Sequence, residues 1–157
     1  MAFDYPYLPP DRAILYVGED NAFMQAAKEE ARLHSLDTSM PTGAVLIQNG
    51  VIVARAANGS EFHKTHKCER VRLGIPTGQG YELCEGCHPK NHAERRVVER
   101  AQRPEGGDVY LWGHWWACTA CWDVMIDSGV RNLYLLEGSE RLFNKNHPEN
   151  VVGKQFG

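Results

Sequence analysis

A chain of 157 residues can bury one hydrophobic core and is short for two domains of ordinary size, so a single domain over residues 1–157 is expected. Hydrophobic residues make up 43% and charged residues 24%, an ordinary globular balance, and no apolar run has the length of a membrane-spanning helix. A formal net charge of −3 argues against a surface that neutralises many phosphates of a polynucleotide and favours a small ligand, with no nucleic acid and no membrane as partner.

The first residues, M-A-F-D-Y-P-Y-L-P-P, lack the basic and apolar regions of a secretory signal, so a cytoplasmic location is expected. Residues 20–34 open with Asp20 and Asn21 as cap candidates and carry Phe23, Ala26, Ala27 and Ala31 at helical spacing, which predicts the first helix. Two β-rich runs, 43–48 and 51–57, flank Asn49-Gly50, a strong signal for a tight hairpin. From Ser60 to Asn91 the chain is polar, rich in Gly, His and Cys, and without a sustained apolar period. That is long for a structureless loop, so something other than a hydrophobic core is expected to order this insertion at about 60–91.

Residues 92–102 read as a second helix with Val97, Val98 and Ala101 inward, and 108–112 as a third strand. A third helix is predicted over 119–128, with Gly129 at its end, and a fourth strand over 131–136. The order α-β-β-α-β-α-β points to a layered α/β domain with a mixed sheet. The last twenty or so residues are ambiguous.

Five cysteines without an export signal are expected to be thiols or metal ligands and not a disulfide framework. His92 opens the second helix, while Cys118 and Cys121 form a C-x-x-C at the start of the third. If the two helix starts meet, one imidazole and two thiolates make a three-ligand zinc site whose fourth position stays open for solvent. Helix N-termini favour thiolates, which assists loading. Glu94 lies two residues past His92, so the pair cannot share one apolar helix face. As a group that need not ligate, Glu94 is placed to take a proton from water in the open position and return it to a substrate. The alternative is a closed structural site with Glu94 as fourth ligand.

H-A-E followed by C-T-A-C is the H-x-E with C-x-x-C arrangement of zinc deaminases. On these residues the chain resembles the cytidine and deoxycytidylate deaminase superfamily, and most closely its deoxycytidylate deaminase branch. The resemblance runs over about residues 15–138. It includes T-G-A-V-L-I-Q-N-G-V-I-V-A and C-E-R-V-R-L-G-I-P-T-G-Q-G-Y-E-L-C. It implies a three-layer α/β/α sandwich around a mixed five-stranded sheet, with the fifth strand near the C-terminus.

The same resemblance implies one catalytic zinc on His92, Cys118 and Cys121, with Glu94 as proton shuttle. Asn58 would contact the sugar, and the backbone at Ala93 and near Trp116 and Ala117 would orient the base. It further implies hydrolysis of a cytosine nucleotide, foremost deoxycytidylate to deoxyuridylate and ammonia, in a homo-oligomer, dimer or hexamer. The runners-up are a deaminase of another base, or of a base within RNA or DNA, and a catalytically idle nucleotide-binding module. The chain departs from the family pattern in Ala117, where proline is usual, and in Arg95 and Arg96, where small or amide residues are common and a change in the pocket is expected. It also has extra residues between Cys84 and His92.

Those extra residues bring Cys87 and His88 into a loop that already holds His63, His66, Cys68 and Cys84. A second, structural zinc on Cys68, Cys84 and Cys87, with His63, His66 or His88 as fourth ligand, is expected to order it. Trp115 and Trp116 are candidates for a wall against the base, or for core, while Trp112 is expected in the core. Arg55, Lys64, Lys67, Arg70 and Arg72 are candidates for a 5′-phosphate site, against the plainer reading of a solvated face.

Overall fold

The computed structural model describes residues 7–76 and 79–156, apart from the side chains of His63 and Lys64. In chain order the elements are β1 (Ile14–Val17), α1 (Ala22–His34), β2 (Gly43–Gln48), β3 (Val51–Ala57), α2 (Phe62–Thr65) and α3 (Glu69–Arg72). There follow α4 (Ala93–Arg100), β4 (Asp108–Trp112), α5 (Thr119–Asp127), β5 (Asn132–Leu136) and α6 (Ser139–Phe143). Helix α1 starts at Asn21, whose Oδ1 accepts from the backbone N–H groups of Phe23 and Met24, each at 3.0 Å. The β2–β3 turn is made by Asn49 and Gly50 at φ of 52° and 76°, as the dipeptide predicts.

The strands form one sheet in the order β1-β5-β4-β2-β3. β1 and β4 each run parallel to β5, whereas β2 is antiparallel to both β4 and β3, so the sheet is mixed. Alternate residues divide the sheet between two cores, as the two-residue strand period requires. Ala44, Leu46, Val109, Leu111, Leu133 and Leu135 pack with α4 and α5. Val45, Ile47, Tyr110 and Trp112 pack on the other face, with Met24, Ala27 and Ala31 of α1 and Phe143. The result is the expected three-layer α/β/α sandwich. Trp112 is core, as read.

The fifth strand corrects one expectation. It is β1, on the N-terminal side, and not a segment near the C-terminus, where the chain instead turns into α6. Four residues, half of them exposed at the sheet edge, give too short a run to register as a strand pattern, and β1 pairs with β5 alone. Arg12 fastens its approach by donating to the carbonyl of Val130 at 3.1 Å. The segment 60–91 has no core of its own but is not structureless. Besides α2 and α3, each of one turn, it contains 3₁₀ turns at Tyr81–Leu83 and Pro89–Asn91.

Candidate metal centre

Helices α4 and α5 lie side by side on one face of the sheet, and their N-termini meet. His92 is the residue preceding α4 and Cys118 the one preceding α5. Neither side chain makes a capping bond to its helix, so both face a shared space. Cys121 joins them from the first turn of α5. His92 Nδ1 lies 3.3 Å from Cys121 Sγ and 3.5 Å from Cys118 Sγ, and the two sulfurs are 3.3 Å apart. Zinc bonds of about 2.3 Å to sulfur and 2.0–2.1 Å to nitrogen give tetrahedral edges of roughly 3.6–3.8 Å, which this triangle approaches. The donor set therefore fits zinc.

The other ring nitrogen of His92, Nε2, donates to the carbonyl of Cys87 at 3.1 Å. That bond fixes the tautomer and leaves the Nδ1 lone pair for the ion. The ring of Tyr81 stands edge-on to His92 at 4.9 Å, with the Arg70 guanidinium over its other side at 4.4 Å. Two thiols in contact share a proton unevenly. Contact with Cys121 and with His92 holds Cys118 below the usual thiol range, and the same contact plus burial pushes Cys121 well above it.

Glu94 is 5% exposed, in the first turn of α4, within hydrogen-bonding reach of Cys121. Burial pushes its carboxyl above the ordinary range, against the pull of His92. A cavity of about 240 Å³ opens onto His92, Glu94 and Cys118 and is also lined by Asn58, Ala93, His114, Trp116, Arg70 and Lys145.

Several expected residues stand differently. Asn58 lines the cavity, but its amide is engaged by protein: Oδ1 accepts from Thr42 N at 2.9 Å and Ser35 Oγ at 2.6 Å, and Nδ2 donates to Met40 O at 3.0 Å. Trp116 lines the cavity and Trp115 does not. Trp115 meets the Trp116 ring edge-on at 6.3 Å and lines a separate depression with Tyr16 and His147. Neither Arg95 nor Arg96 lines the cavity. Arg95 pairs with Glu99 at 2.9 Å, while Arg96 donates to Ala57 O and Asn91 Oδ1 and so ties α4 to the end of β3.

Of the basic cluster, Arg70 alone among the described side chains lines the cavity, and Arg72 pairs outward with Glu69. The side chains of Lys64 and His63 lie outside the described residues. His114 and Lys145 went unmarked in the sequence. G-H-W-W carries no ligand spacing, and Lys145 follows α6, in the ambiguous tail.

A sandwich that brings a His-Cys-Cys triangle and a buried carboxylate to two helix N-termini defines a metal-dependent class of protein. The family model for the cytidine and deoxycytidylate deaminase zinc-binding region matches residues 17–137, more than half of the chain, and the chain belongs to that family. No curated protein matches the sequence. Similar solved structures include the apo dCMP deaminase of cyanophage S-TIM5, at 20% identity and TM-score 0.49, covering 73% of this chain and 79% of that one. Another is a tRNA:A34 deaminase that acts at the wobble position of transfer RNA, at 26% identity and TM-score 0.45, covering 73% and 75%. The guanine deaminase of Bacillus subtilis is similar at 14% identity and TM-score 0.44, covering 83% and 80%. Among the described residues no helix is long and apolar enough to cross a membrane.

Proposed function

We propose that the chain catalyses zinc-dependent hydrolytic deamination of a cytosine nucleotide, with deoxycytidylate to deoxyuridylate and ammonia as the leading reaction. The observation that carries the reading is Glu94, a buried carboxylate beside three soft donors in a cavity sized for one small ligand. Zinc bound by His92, Cys118 and Cys121 supplies a Lewis acid that makes a nucleophile of water at neutral pH. Glu94 takes one proton of the attacking water and passes it to N3 of the base. As the C4–O bond completes, Glu94 carries the second proton to N4, the C4–N4 bond breaks, and ammonia leaves.

A carboxyl whose proton affinity is raised by burial suits both halves of that transfer. Trp116 and the backbone of Ala93 flank the base, with His114 nearby, and Lys145 supplies positive charge for a phosphate. The functional unit is a cytoplasmic homo-oligomer, dimer or hexamer, acting on free nucleotides; sedimentation of the purified protein checks the assembly.

The test is ammonia release from dCMP, CMP, cytidine, dCTP and a cytosine-containing oligonucleotide, with wild type and Glu94→Gln side by side. Turnover of dCMP is expected to fall by about 10³-fold or more in the variant, with zinc content unchanged. Full activity in that variant would falsify the role given to Glu94. Turnover of the oligonucleotide alone would move the substrate from a nucleotide to a polymer.

A further inference from the structure

We infer that Cys68, Cys84 and Cys87 hold a second zinc ion, in a three-thiolate centre that orders the segment 60–91 and positions His92. This inference does not rest on the deaminase reading. The three sulfurs lie within 4.8 Å of one another, and none is in a disulfide. Cys68 Sγ and Cys87 Sγ are 3.6 Å apart, close to the edge of roughly 3.8 Å expected for two thiolates on a tetrahedral zinc. The sulfurs come from three local elements: Cys68 precedes α3, Cys84 closes the turn Tyr81–Leu83, and Cys87 sits just before Pro89.

Hydrophobic burial does not explain their meeting. Cys84 has no exposed surface, yet several large apolar residues of the same segment face solvent: Val71 is 78% exposed, Leu83 53% and Leu73 49%. Helices of one turn are not stable by themselves. A metal that binds only the folded arrangement supplies the missing free energy, which is how short segments rich in cysteine are ordered.

The charge also fits. Three thiolates on a divalent ion leave one net negative charge, and Arg70 Nη1 lies 3.6 Å from Cys87 Sγ. Its Nε and Nη2 are held by the carbonyls of Gln79 at 2.9 Å and Pro76 at 2.7 Å, so the guanidinium is fixed beside the sulfurs. His66 and His88, expected as fourth ligands, turn elsewhere. His66 Nδ1 meets Thr65 Oγ1 at 2.8 Å with its ring stacked on Phe62, and His88 Nδ1 accepts from Lys90 N at 3.1 Å. Cys68 and Cys87 line the cavity, so solvent from it takes the fourth position. The carbonyl of Cys87 accepts from His92 Nε2, which joins the two centres by one hydrogen bond.

The test is metal analysis of the full-length protein, purified without chelator, together with Cys68→Ser and Cys118→Ser. Wild type is expected to carry about two zinc ions per chain, and each variant about one. Cobalt substitution of Cys118→Ser should still give thiolate-to-cobalt charge-transfer absorption. One zinc per chain in wild type overturns the inference, whichever variants fold. So does a Cys68–Cys87 disulfide in the unreduced protein, or two zinc ions retained by Cys68→Ser. Two zinc ions with no ammonia release would leave this centre standing and defeat only the deaminase reading.

Discussion

Asn58 faces the cavity with an amide already committed to three hydrogen bonds, which bind Ser35, Met40 and Thr42 to the end of β3. Removing it orphans the Thr42 N–H, whereas Ser35 Oγ keeps backbone carbonyls within reach and Met40 O still accepts from Thr42 Oγ1. Asn58→Ala is expected to lower stability by about 1–2 kcal/mol, read as a shift in urea midpoint. Unchanged stability with a raised KM would return the residue to substrate binding. His114 presents a second case. Its Nδ1 accepts from the backbone N–H groups of Trp115 and Trp116 at 3.0 and 3.3 Å, and burial, then the nearby His92, lowers its pKa to about 3. A histidine whose folded pKa is depressed binds its proton more readily when unfolded, so it costs stability as pH falls from about 6.5 toward 3. Between pH 7 and pH 5 the wild type should lose on the order of 1–2 kcal/mol more than His114→Asn in urea unfolding, and equal losses would sink the assignment. His92, Glu94, Cys118 and Cys121 were legible because their chemistry is written in fixed spacings near helix starts. His114 was not, because its place depends on a turn at Gly113, with φ of 105°, packed against Pro41.

At the scale of elements, Gly43 shows how α1 reaches the sheet. A Cβ there would stand 2.1 Å from Ala27 O and 2.6 Å from Ala31 N, so the helix backbone rests directly on β2. Gly50, in the hairpin turn at φ of 76°, has nothing within 4 Å of the same position. Gly43→Ala must therefore push two elements apart, at about 3 kcal/mol or more, whereas Gly50→Ala meets only backbone strain of about 1 kcal/mol. Thermal unfolding of the two variants should rank them in that order; equal shifts would mean that α1 can move off β2 without loss. The hairpin itself was readable from Asn49-Gly50, and the main helices from their apolar spacing, because those signals act within a few residues. β1 was not readable, since its pairing with β5 depends on chain more than a hundred residues away. Nor were α2 and α3, whose single turns have no apolar face to advertise them.

The whole molecule divides into a sandwich with two hydrophobic cores and a segment, 60–91, that contributes Tyr81 to their margin and little else. Loss of metal should act unequally on these parts. The sandwich buries Leu46, Leu111, Leu133 and Leu135 on one face and Met24 and Phe143 on the other, none of which needs an ion to stay packed. The segment leaves Val71, Leu73 and Leu83 exposed, and on the second-zinc proposal its order depends on its sulfurs. Chelation under reducing conditions is therefore expected to open protease sites within 60–91 while far-ultraviolet circular dichroism keeps most of its amplitude. Release should also be ordered, because the Cys87 carbonyl that orients His92 belongs to the segment. In Cys68→Ser, the zinc at His92, Cys118 and Cys121 is expected to leave about 10-fold or more faster to a colorimetric chelator, the scale on which partners behind a metal ligand act. An unchanged release rate would mean that α4 and α5 alone hold the histidine in place. Collapse of the circular dichroism on chelation would mean that the sandwich depends on metal despite its two cores.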